Sequence, residues 1–363
     1  MTRSAIHEMT LADEAEIVRG LAGATALDTD ARARISDRAA GLVRDVRNSG
    51  KIGMMEALLA EYGLSTEEGV ALMCLAEAML RVPDAPTVDA LIKDKITPHD
   101  WGAHLGDSGS ILVNASTWGL MLTGRVLGEE TGVVGVLQGL VRRLGEPVIR
   151  KAVGQAMAEM GAQFVLGRSI EEAMSRGRGM TAKGYTYSYD MLGEAARTDQ
   201  DAQRYHRAYA AAIASIAAAA EGDDIRARPG ISVKLSALHP RYEWPQRKTM
   251  LPVLAERLAT LAEAAKDAGL GFNIDAEEAD RLDLSLDVIE TVLSRPALAG
   301  WDGFGVVVQA FGKRALPVID WLYALAERLD RRIMVRLVKG AYWDTEVKRA
   351  QVLGLEDYPV FTR

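Results

Sequence analysis

"RIMVRLVKGAYWD", residues 332–344, decides how the second half of the chain is read. Ile333, Val335 and Leu337 alternate with Met334, Arg336 and Val338. Side chains alternate between the two faces of a strand, so one face here is apolar and the other carries a permanent charge. A parallel strand buried on both faces would instead be a nearly continuous hydrophobic run. Lys339 and Gly340 follow, then Tyr342 and Trp343. A cation beside a glycine suits an anion held close to the main chain, and the aromatic pair suits a flat ring. Together they suggest a phosphorylated aromatic cofactor.

The same pattern recurs upstream. Short β-like runs stand at 185–192 (YTYSYDML), 231–238 (ISVKLSAL), 271–279 (GFNIDAEEA), 303–311 (GFGVVVQAF) and 332–340. Helix-length segments separate them, and several end near glycine. Strand–helix alternation predicts parallel strands with right-handed crossovers. Doubly wound sheets and (β/α) barrels both fit, but no G-x-G-x-x-G follows the first strand. In these runs Ser232, Lys234 and Ser236, then Asn273, Asp275 and Glu277, then Gln309, occupy the phase opposite the apolar face. In a barrel that phase is the lumen, and the C-terminal mouth holds the active site. Lys234, Asp275, Gln309 and Arg336 are therefore expected to converge, with Arg336 and Asp275 as neighbours. The competing reading is a structural ion-pair network in the lumen. Asp190, in phase with Ser188, could face the lumen or serve as a strand-end acceptor.

Residues 1 to about 170 read as helical. The first 50, rich in Ala, Arg and Asp, suggest an arm. Ser65 and Glu68 make a capping box, and Pro83 follows the end of that helix. Further helical patterns lie at 87–96, 116–127 and 146–167. The division predicted is an arm at 1–50, a helical domain at 51–175 and a barrel portion at 176–363. Net charge is -7, which does not favour nucleic acid as a partner. A lone cysteine, Cys74, rules out an internal disulfide and suits a reducing, cytoplasmic setting. The start of the chain has acids where a signal peptide needs an apolar stretch, and no run of about 18 uncharged apolar residues appears. The five histidines make no paired metal-ligand spacing, and no metal is expected.

The segments YTYSYDMLGEAA (185–196), SVKLSALHPRYEW (232–244), NIDAEEADRLDLSLDVIE (273–290), GFGVVVQAFGKRALPVIDWL (303–322) and RLVKGAYWDTEVKRAQ (336–351) resemble, in order and spacing, the proline dehydrogenase barrel of the bacterial proline utilization A family. Upstream, 69–96, 101–120 and 145–167 resemble that family's helical domain. The resemblance implies FAD-dependent oxidation of L-proline to Δ1-pyrroline-5-carboxylate, with electrons passed to a quinone. By the same resemblance Lys234, Asp275, Arg336 and Tyr342 are the catalytic set. Lys234 pairs with the substrate carboxylate, and Asp275, Leu337, Ala341 and Tyr342 complete the substrate site. Asp275, Val307, Gln309, Arg336, Val338, Lys339, Gly340, Ala341 and Trp343 line the FAD. Glu194 resembles an acidic gate residue; for Trp118, core packing outweighs a place near the flavin. The family also implies a downstream aldehyde dehydrogenase module and peripheral membrane contact in a full-length protein. No ribbon–helix–helix segment is visible, so a repressor role is not expected. Only five strands precede Arg363, against eight in a closed barrel. The fold expected is thus an incomplete (β/α)8 barrel behind an all-α domain and arm, with the chain read as an N-terminal fragment. An inactive piece with a folding or interaction role is the alternative, and a flavin barrel acting on folate a remote third.

Overall fold

The computed structural model describes residues 3–25, 27–49, 87 and 165–362. The Ser65–Glu68 capping box, Pro83, the helical patterns expected at 87–96 and 116–127, most of that at 146–167, and Trp118 and Cys74 lie outside the described residues, apart from Thr87, which is helical. By contact density the chain divides into two units, one of Met1–Ala26 with Gly167–Arg363 and the other of Leu27–Leu166.

Three helices open the chain: α1 (Arg3–Glu8), α2 (Glu14–Ala24) and α3 (Thr29–Asn48). In the first unit, α4 (Ile170–Thr181) is capped by Ser169, whose side chain accepts the Glu172 amide. Strands and helices then alternate as β1 (Ser188–Asp190), α5 (Asp199–Ala219), β2 (Gly230–Val233), α6 (Arg247–Asp267) and β3 (Gly271–Ile274). The series continues with α7 (Leu282–Leu293), β4 (Phe304–Gln309), α8 (Ala315–Arg328), β5 (Met334–Val338) and α9 (Trp343–Leu353). The five strands are all parallel and pair in chain order. This is the alternation of a partial (β/α) barrel preceded by helices.

The strands are shorter than the β-like runs: all five stop before the C-terminal end of the run, and β1 and β5 also begin two or three residues into theirs. After Val233 the chain enters a 3-10 turn at Leu235–Ala237, so Lys234 stands just past the strand. The apolar phase packs against the helices. Ile231, Val233, Phe272, Ile274, Phe304, Val306 and Val308 meet Tyr209 and Ile213 of α5, Leu258 and Leu261 of α6, Ile289 of α7 and Leu322 of α8 in one buried cluster. Each large side chain so buried contributes about 1.5–3 kcal/mol relative to exposure. Helix α5 begins with a reciprocal capping box between Thr198 and Asp201. The N-terminal segment joins this unit: Ile6 is fully buried, and the Arg3 guanidinium lies 5.1 Å from the Trp321 ring centre while bonding Asp287.

The other phase lines the lumen. Asn273 pairs across the sheet with Gly305 and Ser232. A Cβ on Gly305 would collide with the Asn273 side-chain oxygen, so glycine alone leaves room for that amide to lie across β4. The sheet curls: Arg336 on one edge strand reaches Ser188 on the other, with its NH2 2.8 Å from Oγ. Among the described residues, no helix is long and apolar enough to cross a membrane.

Candidate functional site

The C-terminal ends of β1, β2 and β3 place Asp190, Lys234 and Asp275 on the lumen phase. The Lys234 ammonium donates to Asp190 Oδ1 at 2.7 Å and to Asp275 Oδ2 at 3.0 Å. Lys234 and Asp275 side chains are each 14% exposed, whereas Asp190 is 46% exposed. Burial opposes the charge on Lys234, but its two carboxylate partners outweigh that and raise its pKa. One cation is shared by two carboxylates, and Asp275 is the more enclosed of the two. Burial pushes the Asp275 carboxyl up, with Lys234 offsetting only part of the effect. Behind them the buried Tyr209 hydroxyl accepts the Lys234 amide at 3.3 Å, and burial pushes its phenol to about 12.

Arg336, on β5, donates to Ser232 Oγ at 3.1 Å as well as to Ser188. No direct Arg336–Asp275 pair is formed. Arg336 is close enough to lower the Asp275 pKa through its charge, yet its guanidinium is anchored by hydroxyls. The hydroxyls Ser188 and Ser232, in hydrogen-bond contact at 3.3 Å, therefore belong to the site. Their signal in the sequence was their i, i+2 phase with Asp190 and Lys234.

The remaining expected residues divide. Val307 is the register partner of Arg336, and Gln309 that of Val338, so all four share the lumen phase. Gln309 donates to the Glu277 carbonyl at 2.9 Å and accepts the Ala341 amide at 3.0 Å. Gly340 has φ +124, and a Cβ there would collide with Phe311, so the turn closes tightly over that ring. Tyr342 is half-buried, and its phenol is pushed up by burial first and then by the nearby charge of Glu194. Lys339 and Glu194 are exposed. Trp343 donates its indole N–H to the Phe361 carbonyl at 2.7 Å, which fixes the ring toward the C-terminal segment. Leu337 departs from expectation. It pairs with Val308 on the helix-facing phase and is 59% exposed, away from the Lys234 cluster. The physical reason is strand alternation: a neighbour of the lumen-facing Arg336 points to the opposite face.

The donor set fits a flavin at the mouth. A guanidinium, an amide side chain and the apolar Val307 lie on adjacent layers of one lumen wall, beside a glycine turn that closes on Phe311. A curled sheet of five parallel strands alternating with helices is part of a (β/α) barrel, and residues 173–363 match the proline dehydrogenase family. The chain belongs to the proline utilization A (PutA) family. Residues 2–47 match the proline utilization A proline dehydrogenase N-terminal domain, and residues 54–164 match the DNA-binding domain of proline dehydrogenase. The chain is 54% identical over 317 residues to bifunctional protein PutA of Klebsiella aerogenes, covering 87% of this chain and 24% of that protein. It is 49% identical over 364 residues to PutA of Rhizobium meliloti, covering 99% of this chain and 29% of that one. A crystal structure of a Bradyrhizobium japonicum PutA variant superposes with a TM-score of 0.69 at 48% identity, covering 98% of this chain and 35% of that one. The chain thus spans about a quarter of the length of these curated relatives. The proline dehydrogenase family is flavin-dependent.

One expectation is overturned. The match of residues 54–164 to a DNA-binding domain argues against the absence of a nucleic-acid partner. A net charge of -7 averages 43 basic and 50 acidic residues over the whole chain. Nucleic-acid binding depends on where a domain places its charges and donors, which that average does not report.

Proposed function

We propose that this chain supplies the substrate-orienting half of a proline dehydrogenase site: FAD-dependent oxidation of L-proline to Δ1-pyrroline-5-carboxylate, with electrons passed on to a quinone. The observation that carries the reading is the Lys234 ammonium, set between Asp190 and Asp275 at the barrel mouth. A small amino acid's carboxylate is the natural third partner for that cation, and Asp190, the more exposed of its two carboxylates, is the one placed to yield. Asp275 then stays beside the substrate's ring nitrogen, and Ala341 and Tyr342 wall the ring. FAD, held by Asp275, Val307, Gln309, Arg336, Val338, Lys339, Gly340, Ala341 and Trp343, would accept hydride from the ring carbon next to nitrogen. Arg336 keeps a positive charge facing that position, where negative charge grows as hydride arrives. The helix-facing phase of Leu337 leaves it outside this set. Glu194 sits at the entrance, near Tyr342. The domain division at 1–50, 51–175 and 176–363 and a cytoplasmic setting complete the proposal.

The test is anaerobic flavin reduction by L-proline in a full-length relative carrying these residues, compared with D-proline and with uncharged pyrrolidine. Stereospecific reduction by L-proline is expected. Equal reduction by pyrrolidine would remove the role of the Lys234–carboxylate contact.

A further inference from the structure

A second set of buried contacts joins the loops around the mouth. Glu277 lies two residues beyond Asp275, and its side chain is 4% exposed. Its Oε2 accepts the Ser236 amide at 3.0 Å. Ser236 in turn holds the loop after β1: its Oγ accepts the Ala195 N–H at 3.1 Å, and its carbonyl accepts the Ala196 N–H at 2.9 Å. Ala195 has φ +53, a region that side chains with a Cβ seldom adopt, so the loop keeps its shape through those two bonds. The residue before Ala195 is Glu194. On its other side Glu277 offers its carbonyl to Gln309, and the far end of the same amide holds Ala341, the residue before Tyr342.

We propose that Glu277, Ser236 and Gln309 are positioning residues that form one relay. It fixes the Glu194 loop and the Ala341–Tyr342 turn relative to each other and so sets the entrance above Lys234. This deepens the proline reading and rests on it for the identity of what enters. The relay is not simple core filling. A buried carboxylate is costly to place, and this one addresses the Ser236 backbone amide and, 3.6 Å away, Arg281. The bonds to Ser236, Ala195 and Ala341 all end on backbone N–H groups of mouth loops, which an apolar core residue could not satisfy.

Limited trypsin digestion of the full chain reads the relay directly, because exposed Arg197 closes the first loop and exposed Lys339 opens the second. Ser236→Ala should speed cleavage after Arg197 about five- to tenfold, the population change expected for one lost hydrogen bond, and affect Lys339 less. Gln309→Leu should do the reverse. Glu277→Leu should open the Arg197 loop, and Glu277→Gln, which keeps an acceptor for Ser236, should restore it. Cleavage after exposed Arg226 serves as the reference. Acceleration at all three sites alike, or at none, overturns the relay. In an FAD-loaded full-length enzyme, Ser236→Ala should raise the KM for L-proline several-fold with a much smaller change in kcat. A fall in kcat alone also overturns the relay. If the unmodified enzyme does not oxidise proline, the functional proposal fails while the digestion still decides the relay.

Discussion

At the residue scale, Lys234 sets the charge balance of the mouth. With Asp190, Asp275 and Arg336 all ionised, two positive and two negative charges cancel, and an incoming carboxylate adds one negative charge. Replacing Lys234 with Met should weaken binding of proline and of cyclic carboxylates by about 1.5–3 kcal/mol, the range for a charge-assisted contact. Uncharged ring analogues, measured by the same titration of the flavin spectrum, should lose much less. Equal losses would make Lys234 a structural partner of Asp275 only. Glu277 gives a different kind of prediction. Burial pushes its carboxyl above the ordinary value, with the Ser236 bonds opposing. A carboxyl raised on folding contributes stability that is fully present below its unfolded pKa, roughly 4.3, and is lost as pH rises through the folded value. Glu277→Gln removes that titration. Relative to this variant, the unmodified chain should therefore gain stability as pH falls from neutral toward about 4.3. Urea midpoints at neutral and mildly acidic pH measure the gain. A difference that stays constant with pH would mean that Glu277 titrates as it does in water. Asp199, held down mainly by its bond to Arg257, carries the opposite sign and loses its contribution as pH falls.

At the element scale, the lumen face works because the strands share one register. Gly305→Ala would push a methyl group into the Asn273 amide and should cost about 1–3 kcal/mol, the range for overpacking a filled interior. Unchanged urea unfolding would show that Asn273 moves aside freely. Arg336→Met removes both the charge at the mouth and the ties from β5 to Ser188 on β1 and Ser232 on β2. In a full-length enzyme it should slow flavin reduction by proline strongly, at about 3–4 kcal/mol by analogy with a lost oxyanion donor. Single-turnover reduction at the normal rate would rule the role out. The strand phases were legible in the sequence because alternation is a period-two signal that every run repeats. The same signal shows why Leu337, assigned to the substrate by resemblance, falls on the other face. The Arg336 anchorage was not legible, since Ser188 lies 148 positions away in the chain and nothing local marks which hydroxyl a long side chain will reach. The shape of the mouth was hidden for a related reason. The left-handed Ala195 is tied to Ser236, and the turn after Val233 adds to its own local bonds a tie to Glu277, contacts between loops that no local sequence pattern marks.

At the scale of the whole molecule, the sheet order leaves β1 and β5 with one strand neighbour each among the described residues. In a polypeptide ending at Arg363 their outer edges would have no strand partner, the arrangement that templates pairing with another chain. On the helix-facing side of β5, Val335 is 42% and Leu337 59% exposed, so that edge is also apolar. The lumen cluster of Lys234, Asp275 and Arg336 is walled by five strands, whereas a barrel that encloses its mouth uses eight. Electrostatic contacts are worth far more in a closed, dry pocket than beside water. A polypeptide ending at Arg363 is therefore expected to bind FAD weakly, to self-associate and to show no sustained proline:dye turnover. Size-exclusion chromatography and flavin absorbance of the purified 363-residue chain test the first two, and a proline:dye assay with added FAD tests the third. A longer polypeptide carrying the sequence that follows the corresponding position in the PutA relatives should elute as a defined species, retain a flavin band and turn over proline. Sustained turnover by the shorter chain would show that five strands suffice to close the site. The placement of the substrate over Lys234 would then have to be rebuilt around an open lumen.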